Sequence, residues 1–160
     1  MADSIRERIV QNVVTTLKAI SVSGGYKNDV PDDRVFRVTS IQNGTLLEFP
    51  TIFVRWSAPP LTIWQNEIVD RQLTVTISIM VHDSDPTDAV SEMAGNVETL
   101  IEDAQKAMEA DVSRDSLAIS QEEVEIRQPR FSDVFQAHAS TDLVYNIQYR
   151  VSRTNPQSHT

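Results

Sequence analysis

Ile5, Ile9, Val13, Leu17 and Ile20 recur every three or four residues, and Val10 and Val14 widen the stripe. That spacing predicts an amphipathic helix. Ser4 followed by Glu7 has capping-box spacing, and Ser23-Gly24-Gly25 reads as a stop, so the helix is expected from Ser4 to about Val22. A different period governs residues 72–81. Leu73, Val75, Ile77, Ile79 and Val81 alternate with Gln72, Thr74, Thr76, Ser78 and Met80. A period of two predicts a strand with one buried and one polar face, which suits an antiparallel sheet better than a doubly covered parallel one. The helical period returns with Val90, Met93, Ala94, Val97, Leu100, Ile101, Ala104 and Met108. Asp85 is placed to cap this second helix, Pro86 to occupy its first turn and Asp88 to complement its dipole. Its opposite face carries Glu92, Asn96, Glu98, Glu102, Asp103 and Lys106, and Gly95 within it is read as a close packing contact.

Shorter extended pieces fill the rest of the chain. Val35, Phe36 and Val38 mark one over residues 34–39, and Ile52, Val54 and Trp56 alternate in another over 51–56, with a turn signal at Asn43-Gly44 between them. Leu117, Ile119, Val124 and Ile126 mark a third, and Leu143, Tyr145, Ile147, Tyr149 and Val151 a fourth. Ser57-Ala58-Pro59-Pro60 breaks the second piece, and residues 57–70 read as a protruding arm. Residues 128–140 read as a loop. Strands in clusters separated by helices predict an α+β fold: an antiparallel sheet, with a mixed arrangement left open, and two amphipathic helices on one face. One domain is expected over residues 1–153, followed by a flexible polar tail, 154–160.

Composition narrows the function classes. At 160 residues, 40% of them hydrophobic, the chain can build one sizeable core. With no cysteine there are no disulfides, thiolate metal sites or cysteine nucleophile. Residues 1–7 carry charge on both sides of Ile5 and do not read as a signal peptide. No run approaches the roughly 20 apolar residues a membrane span needs. The formal charge of −9 favours solubility and opposes a net attraction to nucleic acid.

Candidate chemistry is sparse. His82, His138 and His159 are too far apart in sequence for a local metal motif. Asp83, Asp85 and Asp88 resemble a calcium loop, but Asp88 stands where that loop needs glycine, and helix capping accounts for them better. Glu122, Glu123 and Glu125 offer paired carboxylates; Glu123 and Glu125 are expected to share a strand face, and a solvated face is the simpler reading. No nucleophile elbow or phosphate loop is present. The expectation is therefore a non-enzyme with no cofactor and no metal. Apolar residues in irregular segments remain. Trp56 is expected in the core. Leu61, Ile63 and Trp64 in the arm, and Phe131 and Phe135 with Arg127 and Arg130, are the candidate contact residues.

In layout the chain resembles bacteriophage tail terminator proteins. The likeness runs over residues 4–152. It rests on the helix ending Leu17-Lys18-Ala19-Ile20, the Gly25-Tyr26 turn, Arg34-Val35-Phe36-Arg37-Val38, Pro50-Thr51-Ile52-Phe53-Val54, the long strand from Arg71, the Asp-rich opening of the second helix and the closing strands. The resemblance implies a homohexameric ring that caps the head-proximal end of the tail tube, ends its polymerisation and presents a head-joining surface. The implied partners are the chain itself, tail-tube protein and a head-completion or neck protein, with DNA only passing through the lumen and no membrane. The implied location is the virion tail, assembled in the host cytoplasm. It transfers no catalytic residue. Two other readings stand beside it: a neck or tail-completion connector, and a small ligand-binding or regulatory domain.

Overall fold

The computed structural model describes residues 3–37, 49–58, 62–65, 68–82, 89–128, 130–132 and 138–152; of 62–65, 89–94, 131, 132 and 138 only the backbone is described. Two helices, α1 (Ile5–Lys18) and α2 (Ala89–Ala110), lie on one face of a sheet built from β1 (Val35–Arg37), β2 (Thr51–Ser57), β3 (Thr62–Gln65), β4 (Ile68–His82), β5 (Ser120–Ile126), β6 (Arg130–Ser132) and β7 (His138–Ser152). The order is β1-β2-β4-β7-β5. β3 pairs with the start of β4, and β6 with the start of β7, so the seven strands among the described residues fill five rows. β1 and β2 run parallel and every other pair is antiparallel, which makes this a mixed-sheet α+β fold, as expected.

The predicted period of two is borne out. Leu73, Val75, Ile77 and Ile79 are fully buried under the helices. Register sets Val75 opposite Tyr145 and Ile77 opposite Leu143 on one side, and opposite Trp56 and Val54 on the other. The helices close this face with Ile5, Ile9, Val13 and Leu17 from α1 and Val97, Leu100, Ala104 and Met108 from α2. Each such aliphatic burial contributes about 1.5–3 kcal/mol. Trp56 packs partly buried against this core, with the Arg6 guanidinium 4.4 Å from its ring centroid.

Local signals are met with differences. Ser4 Oγ accepts from Glu7 N at 3.2 Å, but the Glu7 carboxylate leaves the cap to pair with Arg37 on β1. Only half of the capping box forms. α1 ends at Lys18, not near Val22; a 3-10 turn over Val22–Gly24 follows, and Gly25 takes the left-handed conformation at φ 88°. β4 is longer than predicted because β3 pairs with its first four residues, turning part of the presumed arm into a hairpin. Residues 128–140 are not simply a loop, since β6 and the first residues of β7 lie within them.

Four residues depart from their expected places. Gly95 is exposed, and a Cβ there would meet nothing within 4 Å, so it marks no close contact. Asp103, expected on the polar side of α2, is 2% exposed. Its carboxylate accepts from the backbone N–H groups of Lys27 and Asn28 and from Asn28 Nδ2, and so satisfies an otherwise unpaired loop. Glu123 and Glu125 do not share a face, because a bulge between them shifts the register against β7.

The bend after α2 is held by Arg114, which is fully buried. Its Nε donates to Gln121 Oε1 at 2.6 Å and its Nη2 to the carbonyl of Met108, one of the carbonyls left open where α2 ends. Burial lowers its pKa to about 10, so the group stays charged at neutral pH. Arg114, Asp115 and Ser116 all have positive φ, 49°, 57° and 64°. Three successive non-glycine residues there are strained, and Asp111 secures them by accepting from Asp115 N at 2.7 Å and Ser113 Oγ at 3.0 Å.

Candidate functional site

No described helix or strand packs over the second face of the sheet. Its centre is one rung of the ladder, where Phe53, Ser78 and Asp142 stand side by side on β2, β4 and β7. Arg55 lies two residues along β2 on the same face. Its Nη2 donates to Ser78 Oγ at 2.6 Å, and Ser78 Oγ in turn donates to Asp142 Oδ1 at 2.5 Å. Arg55 Nη2 also reaches Asp142 Oδ1, at 3.5 Å.

Arg127 approaches from the other side. It follows β5, and its backbone N–H donates to the Asp142 carbonyl at 2.9 Å while Thr141 Oγ1 donates to its own carbonyl at 2.6 Å. So anchored, it sets Nη1 3.4 Å from Asp142 Oδ2 and Nε 3.4 Å from Glu125 Oε1. Arg130, at the start of β6, completes the rim. The open recess has a volume of about 230 Å³, and Phe53 and Met80 form its apolar floor. Three arginines meet one aspartate in it, inside a chain whose formal charge is −9.

Along the β5 margin the described surface mixes exposed apolar side chains with carboxylates. Ile119, Val124 and Ile126 are each nearly half exposed. Edge strands are templates for pairing, and the bulge at Val124 with Glu122 and Glu125 beside it protects this one from indiscriminate addition. Glu123 turns inward, accepting from Tyr145 Oη at 2.8 Å and Gln105 Nε2 at 3.0 Å. Burial, and then that bond to a carboxylate, push the Tyr145 phenol well above its ordinary pKa. The hydroxyl is a fixed donor and Glu123 is tied into the packing of β5 against α2.

The sequence-derived candidates divide sharply. Arg127 and Arg130 are brought together on the recess. Phe131 is placed in β6, opposite Ala139 of β7. Ile63 and Trp64 lie in β3, opposite Asp70 and Val69, so the arm is ordered pairing rather than an isolated protrusion. The side chains of these three, and Leu61 and Phe135 altogether, lie outside the described residues, as do Asn43-Gly44, Asp83 to Asp88 and the tail 154–160. Arg55, Ser78 and Asp142 escaped sequence reasoning. Their only signal was polarity on the outward positions of alternating strands, which most solvated strands share.

Metal chemistry finds no frame here: no group of three or more metal-ligating side chains occurs among the described residues. His82, at the end of β4, stacks on Phe49 at 5.5 Å and stands opposite His138 in register. No helix among the described residues is long and apolar enough to cross a membrane. No protein-family model matches the chain, and no curated protein matches it.

Proposed function

We propose that this chain is a structural subunit of a protein ring, of the kind that closes the head-proximal end of a long-tailed phage tail. The observation that carries the assembly half of this reading is the second sheet face. A charged, apolar-floored recess opens on it with no described element over it, and Ile119, Val124 and Ile126 are nearly half exposed along the β5 edge. Exposed apolar and arginine-bearing surface of this sort belongs to contact sites. The phage half rests on the resemblance in layout and on the α+β fold, which suits it. In this reading the ring ends tube polymerisation, offers its other side to a head-completion or neck protein, and lets DNA pass through its lumen. It is assembled in the host cytoplasm and resides in the virion tail.

Light scattering after size exclusion, with negative-stain images, is the first test. A closed ring of six subunits is expected, free or on isolated tail tubes, since head-to-tail contacts form rings when the rotation closes. A strict monomer that also fails to cap tubes overturns the proposal. Particles lacking the protein should carry tails of uncontrolled length. Normal tails unjoined to heads would assign it to the neck instead.

A further inference from the structure

We infer that the arginine recess on the open sheet face receives the outward carboxylates of α2 from a second copy of this chain. The inference rests on the ring reading and supplies its contact. Among the described residues, the recess holds more donors than it has acceptors for. The Arg130 guanidinium has no hydrogen-bond or ion-pair partner among them, Arg55 Nε is buried without one, and the Asp142 carboxylate is shared between Arg55 and Arg127 at 3.4–3.5 Å, with only Glu125 beside Arg127 as a further carboxylate. Such a site takes a carboxylate or another oxyanion.

The complementary group lies on the opposite layer. Glu98, Glu102 and Glu109 are exposed on α2. At 100° per residue they fall on one stripe within about 40° of each other, some 16 Å long. Among the described residues, only Glu102 of these has a cationic partner, Lys27. Helices cover one face of the sheet and the recess opens on the other, so no chain can bring its own stripe to its own recess. Two copies can, head to tail, and that heterologous contact closes into rings. Charge makes this orientation selective. Copies with a formal charge of −9 repel wherever two acidic surfaces meet, and the recess gathers three of the chain's 14 basic residues at one place.

A charge-reversal cycle tests it. One variant carries Arg127→Glu with Arg130→Glu, a second carries Glu98→Arg with Glu109→Arg, and a third carries all four. All six-subunit assembly is read by light scattering across a dilution series, with far-UV circular dichroism to confirm folding. Each two-site variant should raise the concentration needed for assembly by about tenfold or more, because like charges then face each other. The four-site variant should return to within about threefold of the unaltered chain. A two-site variant that assembles like the unaltered chain, or a folded four-site variant that does not recover, overturns the inference while leaving the ring. An unaltered chain that stays monomeric on and off tubes overturns both. Binding of a fluorescein-labelled oligonucleotide that is lost with Arg127→Glu and Arg130→Glu, assembly being unchanged, would assign the recess to phosphate and reject the docking contact.

Discussion

The two faces of this sheet are made by the same strands and behave as different materials. On the helix face, every second residue of β4 from Leu73 to Ile79 packs into the apolar core, and exposure is zero. On the other face, Thr74, Thr76 and Met80 of the same strand are only partly covered, and polar bonds replace packing: Thr74 Oγ1 donates to Asn146 Oδ1, and Ser78 joins Arg55 to Asp142. Stability resides on the first face. The second is held by polar bonds and leaves Arg55 Nε without a partner among the described residues.

The sharpest way to break this comparison is to truncate neighbours on β4. Ile77→Ala should lose about 3 kcal/mol, from transfer and cavity terms together. Thr76→Ala should stay within about 0.5 kcal/mol. Chemical denaturation at constant protein concentration reads both, and similar losses would mean the open face is part of the core. Next in size is Asp103→Ala, which leaves the Lys27 and Asn28 N–H groups unpaired and should cost about 2 kcal/mol in the same assay; a neutral result would show that water replaces the carboxylate. Gly95→Ala should work the other way, adding up to about 1 kcal/mol, because the site is exposed, helical and open. A loss there would show that the open surface at Gly95 makes a contact.

The smallest effect is a pH dependence. The hydrogen bond from Arg37 holds the Glu7 carboxyl below its ordinary value of 4.5. A depressed folded pKa gives stability that is present above the unfolded value and lost as pH falls through the folded one. Glu7→Gln should therefore flatten the stability profile below about pH 4.5, and cost about 0.5 kcal/mol at pH 7, since the pair is about a third exposed and screened. An unchanged acid limb in denaturation curves would show that the pair adds nothing.

Particular residues show how far the sequence could be read. The stripe Ile5 to Leu17 and the alternation Leu73 to Val81 were legible because periodicity is a local property of a strand or helix, and both are buried as read. Arg127 and Arg130 stood out in the sequence as arginines beside aromatic residues in an irregular segment, and both line the recess. Arg114 and Asp103 were not legible. Each is a charged residue whose burial is justified by partners that its own periodicity does not announce: Met108 O and Gln121 Oε1 for Arg114, and Lys27 N, Asn28 N and Asn28 Nδ2 for Asp103.

The sequence by itself determined which side of each long element would be apolar, and hence an α+β layer arrangement, because hydrophobic burial acts on periods of two and 3.6 within each segment. Only the tertiary structure decided which polar residues would meet. Ser78 and Asp142 are 64 positions apart, and Arg55 reaches both, through the registers of β2 on β4 and of β4 on β7. A slip of one residue in either pairing would turn that strand's polar set to the other face. The site is thus a property of strand register, which the buried face enforces and the exposed face inherits.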